Sequence, residues 1–107
     1  MSRYRVVFSR VAEEEMVAIV GWLAHESVTN ASRWQDGLET AIGTLTRFPR
    51  RCSVALESAS LVASGLASGE IRQLVYRDHR ILFAVEGRVV RILHVRHAAR
   101  RRLDEEE

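Results

Sequence analysis

The stretch Ile71–Arg102, IRQLVYRDHRILFAVEGRVVRILHVRHAARRR, decides the fold of this chain. It contains three apolar runs with the composition of strands, at Ile71–Tyr76, Ile81–Val85 and Val89–Val95. The polar break Glu86-Gly87-Arg88 separates the last two runs, and its glycine can adopt the positive φ that a tight hairpin needs. A second polar break, Arg77-Asp78-His79, separates the first two. The pattern therefore predicts a three-stranded antiparallel meander.

The same stretch concentrates the positive charge of the chain. It holds nine of the 16 basic residues and two acids, Asp78 and Glu86, so its net charge is +7, against +2 for the whole chain. Side chains alternate along a strand, so one face of the second strand is apolar and the other, with Arg80 and Leu82, is mixed. We therefore expect one sheet face to lie on a core and the other to form a basic, partly apolar surface. Every basic residue is arginine, which indicates a coding bias, but the clustering exceeds what such a bias explains.

The first half of the chain predicts a strand followed by two helices. Arg3–Ser9 alternates like a short strand, and Ser9 is placed to cap a helix over Arg10–His25. A second helix, capped by Thr29 or Asn30, ends at the single proline. Two helices with a short connection form an antiparallel hairpin, and its apolar stripes need the apolar sheet face as a cover. The expected fold is α+β: an N-terminal strand, an antiparallel two-helix hairpin and a three-stranded antiparallel meander, with the helices packed on one sheet face, in a single domain over residues 1–107.

The segments on either side of the meander are less regular. Arg50–Glu70 is too long for a structureless loop in a domain of this size, and its apolar spacing indicates a short helix within it. Ala98–Leu103 is expected to form a turn of helix. The last four residues, Asp104–Glu107, are all acidic and could fold back onto the basic surface.

Composition and missing motifs exclude several function classes. The single cysteine, Cys52, excludes an internal disulfide and a cysteine metal cluster. Without a long apolar run or a signal peptide, the sequence predicts a cytoplasmic protein that does not enter a membrane. No nucleotide-binding loop, zinc-protease motif or nucleophile elbow is present, so we expect neither cofactor nor metal. Glu13, Glu14 and Glu15 diverge around a helix and complement its positive end rather than bind an ion.

Of the two histidines of the last predicted strand, His97 is the better candidate for chemistry near the basic cluster. His94 and His97 are three residues apart on a predicted strand, so they point to opposite faces and do not form a pair. His97 lies at the exit of that strand among Arg96, Arg100 and Arg101. The cations around it favour a neutral imidazole near pH 7, which suits a general base. The alternatives for the same residue are a contact to a phosphate or a peptide, or a strand-end histidine without a chemical role.

The second half of the chain resembles the RelE/ParE superfamily, the toxins of bacterial type II toxin–antitoxin systems. The resemblance is carried by RFPRRC (Arg47–Cys52), IRQLVY (Ile71–Tyr76), HRILFAVEGRVVRILHVRH (His79–His97) and the AARRRL that follows. The order of predicted elements is similar over the whole chain. The resemblance implies a growth-inhibiting, plasmid-stabilising toxin that a cognate antitoxin neutralises by wrapping an acidic, amphipathic segment around it.

The two branches of the superfamily imply different chemistry. RelE-like toxins are ribosome-dependent endoribonucleases that cleave messenger RNA with arginines, lysines and a proton-transfer residue, whereas ParE-like toxins inhibit DNA gyrase. In the nuclease case the resemblance implies the catalytic set His97, Arg72, Arg80 and Arg100. The chain has no lysine, and it has Leu103 and Asp104 where such nucleases often carry a tyrosine, so endoribonuclease activity stays open and the ParE-like alternative is favoured. A third possibility is a basic, non-catalytic nucleic-acid-binding module.

The residues expected to bind the antitoxin or the target combine the arginines of the meander with the two tryptophans. Arginine and tryptophan are the residue types that most often anchor an interface. The predicted partner-binding residues are Arg72, Arg80, Arg91, Arg96, Arg100, Arg101, Trp22 and Trp34. The predicted partners are the antitoxin and either DNA gyrase or the ribosome with its messenger RNA.

Overall fold

A computed structural model describes residues 3–100 and residue 102 of the chain. Seven elements follow one another in the described part: β1 (Arg5–Phe8), α1 (Arg10–Ala24), α2 (Val28–Gly43), α3 (Ser58–Ala63), β2 (Ile71–Tyr76), β3 (His79–Glu86) and β4 (Val89–His97). Two 3₁₀ turns, Thr44–Thr46 and Pro49–Arg51, lie between α2 and α3. The α+β class and the predicted order of elements are confirmed.

The four strands form one mixed sheet in the order β1-β4-β3-β2. β2, β3 and β4 pair antiparallel and form the predicted meander, while β1 joins the outer side of β4 in parallel. A parallel neighbour requires a long crossover connection, and here the two-helix hairpin and the segment that follows it provide one. The free edge of β2 is partly covered, because Val54 forms a bridge to Arg72.

The start of α1 is fixed by Ser9, as predicted. Its hydroxyl accepts a hydrogen bond from the backbone N–H of Ala12 at 3.0 Å and donates one to the carbonyl of Leu93 at 3.1 Å. One side chain therefore caps the helix and ties it to β4 at the point where β1 stops covering the sheet edge. Further along that edge, the N–H of Val95 donates to the carboxylate of Glu15 on α1 at 2.9 Å.

The cap of α2 differs from the prediction. Ser27, rather than Thr29 or Asn30, is the capping residue, and its hydroxyl accepts from the N–H of Asn30 at 3.1 Å. The helix begins at Val28 because Ser27 adopts the extended backbone that a cap requires. Serine caps helices as well as threonine and asparagine do, so residue type alone does not distinguish Ser27 from the two predicted caps.

The two helices pack on one face of the sheet and bury the larger core, as predicted. This core combines apolar side chains from α1, α2, the 3₁₀ turn Thr44–Thr46 and the helix-facing positions of the strands, including Ala12, Trp34, Leu38, Ile42, Leu45, Ile81, Phe83, Val90, Ile92 and Val95. The period of two places Ile81 and Phe83 on this face, as the sequence indicated. We refer to it as the helix face.

The opposite sheet face is covered, which corrects the prediction of an open basic surface. Residues 53–70, which we call the strap, lie against it with the short helix α3 that the apolar spacing predicted. A second apolar cluster fills the contact and comprises Ala55, Ala67, Ile71, Leu82, Ala84 and Leu93, with Leu61, Val62 and Leu66 packed around it. The mixed apolar residues of β3 are therefore core residues, and we call this side the strap face.

Three of the predicted features fall near the end of the described chain. After β4, residues 98–100, the described start of the predicted helical turn, form a turn in which the N–H of Arg100 donates to the carbonyl of His97. Arg101, Leu103 and the acidic segment 104–107 lie outside the described residues.

No described helix is both long and apolar enough to cross a membrane.

Candidate functional site

Arg72 supports the edge of the sheet from the helix face. Its guanidinium donates to the carbonyls of Arg50 at 3.1 Å and Cys52 at 2.7 Å, and binds the exposed carboxylate of Glu70 at 3.2 Å. These bonds fix the chain between the 3₁₀ turn Pro49–Arg51 and the strap. The Arg72 side chain is mostly buried, and its hydrogen bonds hold two backbone segments together.

Arg80 lies on the strap face and is held by a buried carboxylate. Its guanidinium binds both carboxylate oxygens of Glu57 at 3.0 and 2.6 Å, and the amide oxygen of Gln73 at 2.8 and 3.0 Å. Glu57 belongs to the strap and is fully buried. A bidentate arginine–carboxylate pair is among the stronger charge-assisted contacts in proteins. Sequence reasoning missed Glu57, because nothing in its neighbourhood distinguishes it from a solvated glutamate.

The other strap-face arginines, Arg91 and Arg96, are also held within the fold, by hydrogen bonds or by burial. Arg91 binds Glu86 at 3.1 Å and the carbonyl of Leu66 at 3.2 Å, and its hydrogen bond lowers the pKa of the Glu86 carboxyl. Arg96 faces Arg80 across the strands and is buried. Burial, reinforced by the charge of Arg100, lowers the pKa of Arg96.

His97 faces His79 on the helix face, beyond the end of the main core. The two imidazoles are registered opposite each other on β4 and β3, with ring centroids 5.2 Å apart, and the ring of His79 also packs on Trp34 at 5.0 Å. Burial, followed by the neighbouring His97, lowers the pKa of His79. His97 is exposed, and its Nδ1 accepts from the N–H of Ala99 at 3.0 Å. His94 instead binds Glu15 on α1 at 3.1 Å, as expected for a residue that does not pair with His97.

A groove runs between α1 and this end of the meander. Its apolar part, about 270 Å³, is lined by Ala18, Ile19, Trp22, Leu23, His79 and His97. An adjoining recess of about 190 Å³ is bordered by Glu15, Arg96, His97 and Arg100, so one end of the groove is polar and rich in cations. Trp22 remains 70% exposed at its rim, whereas Trp34 is 5% exposed within the core. Of the two tryptophans, Trp22 is the one that a partner can reach directly. We call this feature the α1 groove.

The candidate catalytic residues do not surround one point. Arg72 points to the helix face and Arg80 to the strap face, and both are bonded to the chain's own carbonyls or carboxylates. His97 is opposite the first residue of β3, while Arg72 lies four residues before the end of β2, about 13 Å away along the strand direction. His97 and Arg100 are the two members of the set that border the same recess.

The described residues contain no group of three or more histidine, cysteine or acidic side chains arranged to hold a metal ion. The His79–His97 pair is bordered by the cations Arg96 and Arg100, which would repel a bound metal ion. The same recess also contains Glu15, so the polar end of the α1 groove carries charges of both signs.

Comparisons with known proteins cover nearly the whole chain. The family model of the ParE toxin of the type II toxin–antitoxin system parDE matches residues 6–102. Among solved structures, a chromosomal ParDE toxin–antitoxin system from P. aeruginosa superposes with a TM-score of 0.67 at 15% sequence identity, covering 89% of this chain and 96% of that chain. The search of curated protein sequences gave no significant match. The structural match supports the fold, and the family match covers nearly every described element. The chain therefore belongs to the ParE toxin family of type II toxin–antitoxin systems.

Proposed function

We propose that this ParE-family toxin inhibits DNA gyrase without a hydrolytic step and that a cognate antitoxin neutralises it. The observation that carries the gyrase target is the dispersal of the candidate nuclease residues, with Arg72 and Arg80 bonded on opposite faces of the sheet. A ribonuclease needs its cations and its proton-transfer group around one scissile phosphate. The absence of lysine supports the same conclusion.

The first experiment is pulse-labelling of DNA and protein synthesis in bacteria shortly after this chain is induced alone. A gyrase inhibitor lowers DNA synthesis first, and the purified chain then also blocks DNA supercoiling by purified gyrase. His97→Ala is expected to leave both effects intact. An early fall in protein synthesis, with new messenger RNA ends inside codons, would contradict the proposal.

The alternative function is a ribosome-dependent endoribonuclease centred on His97 and Arg100. One observation favours it: these two residues share the cation-rich recess at the end of the α1 groove. In that case His97→Ala in a folded protein abolishes toxicity, because loss of a proton-transfer group costs about 100- to 10,000-fold in rate. Both possible targets are in the bacterial cytoplasm, so we place the toxin there.

The α1 groove is the surface that we propose for the antitoxin. Its apolar walls around Ile19 and Leu23, the exposed ring of Trp22 and the cations at one end complement an acidic, amphipathic segment. Tryptophan at the rim of such a groove is a typical interface anchor. Co-expression of the chain with the antitoxin encoded beside it should yield a complex, and Trp22→Ala should weaken it by about 100-fold.

The matched control for this surface is Val17→Ala. Val17 is also exposed on α1, at 67%, but it does not line the groove. Equal losses of affinity for the Trp22 and Val17 variants would move the antitoxin surface away from the groove. Unchanged affinity of both variants for the antitoxin would also place the antitoxin surface outside the groove.

A further inference from the structure

The end of the molecule opposite the α1 groove gathers exposed arginines from three separate parts of the chain. The N–H of Tyr4 donates to the carbonyl of Thr46 at 2.9 Å, and the N–H of Arg5 donates to the carbonyl of Arg88 at 2.8 Å. These bonds bring the start of β1 beside the segment after α2 and the β3–β4 turn. The exposed arginines of this region, which we call the basic end, are Arg3, Arg5, Arg47, Arg50, Arg51 and Arg88.

Acidic side chains near the basic end are bound to other arginines. Glu86 precedes the β3–β4 turn and is paired with Arg91, and Glu70 is paired with Arg72. The charge of these carboxylates is thus offset by residues that do not belong to the basic end. The arginines of the basic end therefore produce a positive potential at the surface.

Phe48 lies within the basic end in an unusual conformation. Its φ of 48° and ψ of 52° are left-handed, a region that bulky side chains rarely occupy, and its side chain is 69% exposed. The Arg51 guanidinium stabilises this loop by donating to the carbonyls of Arg47 and Phe48 at 3.0 and 3.3 Å and to the Thr44 hydroxyl at 2.8 Å. Pro49 is buried beside it. The fold thus holds a strained aromatic side chain outward, which is a pattern that indicates function.

The chemistry of this surface fits a nucleic acid better than a protein. A protein interface has a core of several apolar side chains, but Phe48 is the one exposed large apolar residue within residues 47–51, where three of these arginines lie. An aromatic ring flanked by cations is the arrangement that binds single strands, since the ring stacks on a base and the cations contact phosphates. Bases in an intact duplex are already stacked and do not offer a free face.

We propose that the basic end binds a single-stranded segment of nucleic acid, with Phe48 stacked on a base and Arg47 and Arg50 contacting the flanking phosphates. Arg47 and Arg50 flank the ring in sequence, and Arg50 also donates to the Tyr4 hydroxyl at 3.2 Å, which orients it. This site is separate from the strap-face arginines and from the α1 groove. It goes beyond inhibition of gyrase and can be measured without any toxicity assay.

The test is fluorescence anisotropy of the purified chain with a labelled oligothymidine of about 12 nucleotides, a length within the usual site size for single strands. Phe48→Ala should weaken binding about tenfold, in line with the loss of one stacked base. Phe48→Tyr keeps the stacking surface and should bind like the parent chain. Phe48→Asn should lose the same affinity as alanine while the chain becomes more stable, because asparagine tolerates the left-handed conformation.

The arginines are tested by the salt dependence of binding. The double variant Arg47→Gln/Arg50→Gln should lower the slope of log affinity against log salt concentration by about 1.4, which corresponds to two phosphate contacts on a single strand. The control Arg10→Gln/Arg33→Gln removes the same charge from exposed positions on α1 and α2. It should change the slope much less.

Three outcomes would overturn the proposal. One is an equal loss of affinity in the control pair and in the Arg47/Arg50 pair, which indicates a general effect of net charge. Another is unchanged affinity in a folded Phe48→Ala variant. The third is displacement of the oligonucleotide by poly-glutamate at the same charge concentration, which would make the basic end a surface for an acidic protein.

Discussion

The two faces of the sheet are both closed, but by different means. The helix face is covered by α1 and α2, whose apolar stripes meet Ile81, Phe83 and the other core positions of the strands. The strap face is covered by an irregular segment with a six-residue helix, and it encloses the ion pair Glu57–Arg80 together with a small apolar cluster. The helix face is closed by apolar burial, whereas the strap face also encloses a charged pair, so loss of one partner there leaves a buried charge without its counter-ion.

The largest expected effect comes from the ion pair of the strap face. Glu57→Ala leaves the Arg80 guanidinium largely buried without its carboxylate, and breaking a buried pair in this way costs about 3–5 kcal/mol of unfolding free energy. Urea denaturation followed by circular dichroism measures it. A loss below about 1 kcal/mol would mean that the strap does not depend on this pair.

Two controls sharpen this result. Glu70→Ala removes the partner of Arg72 at the exposed edge and should cost less than about 1 kcal/mol, as exposed pairs do. The double variant Glu57→Leu/Arg80→Met replaces the pair by apolar side chains and should recover much of the stability. If the double variant is as unstable as Glu57→Ala, the specific geometry of the pair matters more than its buried charge.

The corresponding test of the helix face is Gly37→Ala. A Cβ at Gly37 would clash with the hydroxyl oxygen of Tyr76, and this hydroxyl donates to the carbonyl of Trp34 at 3.1 Å. Displacing this ring should cost about 1–3 kcal/mol, as overpacking does, despite the better helix propensity of alanine. Gly21→Ala is the control, since nothing lies within 4 Å of its Cβ, and thermal unfolding should show it to be neutral or stabilising.

A smaller effect is expected from pH at the edge of the helix face. Burial lowers the pKa of His79 in the folded protein, so the unfolded chain binds its proton more tightly. The stability that this residue contributes is complete above its unfolded pKa, near 6.5, and is lost as the pH falls through its folded pKa. Acidification from pH 7.5 to 5.5 should therefore lower the urea midpoint more in the parent chain than in His79→Gln. The same pH dependence in both chains would contradict this expectation.

The smallest effect is expected where the strap face meets solvent. Glu86→Gln removes the partner of Arg91 at a partly exposed site, and such pairs contribute about 0–1 kcal/mol. Thermal unfolding at low and high salt should show little difference between this variant and the parent chain. A loss of stability as large as that of Glu57→Ala would show that the buried and the exposed ion pairs of the strap face contribute equally.

The fold was more predictable than the site, for a reason that particular residues illustrate. The periods of two and 3.6 placed Phe83 and Leu38 on their correct faces, because periodicity is local and repeats over several residues. The partner of Arg80 was not predictable, since Glu57 is 23 positions away and belongs to a segment without a clear pattern. Phe48 was visible only as the residue before a proline, and its left-handed backbone and exposure depend on the bonds of Arg51.

By itself the sequence determined the order of elements, the hairpins of the meander, the Ser9 cap and the similarity to RelE/ParE toxins, because these depend on neighbouring residues and on short motifs. Only the tertiary structure decided that β1 joins β4 in parallel, that the strap closes the second face, and that Trp22 is exposed while Trp34 is buried. It also determined which arginine side chains are exposed to solvent. The sign of each charge can be read from the residue type. Its ion-pair partner and its burial depend on distant segments that come together only in the tertiary structure.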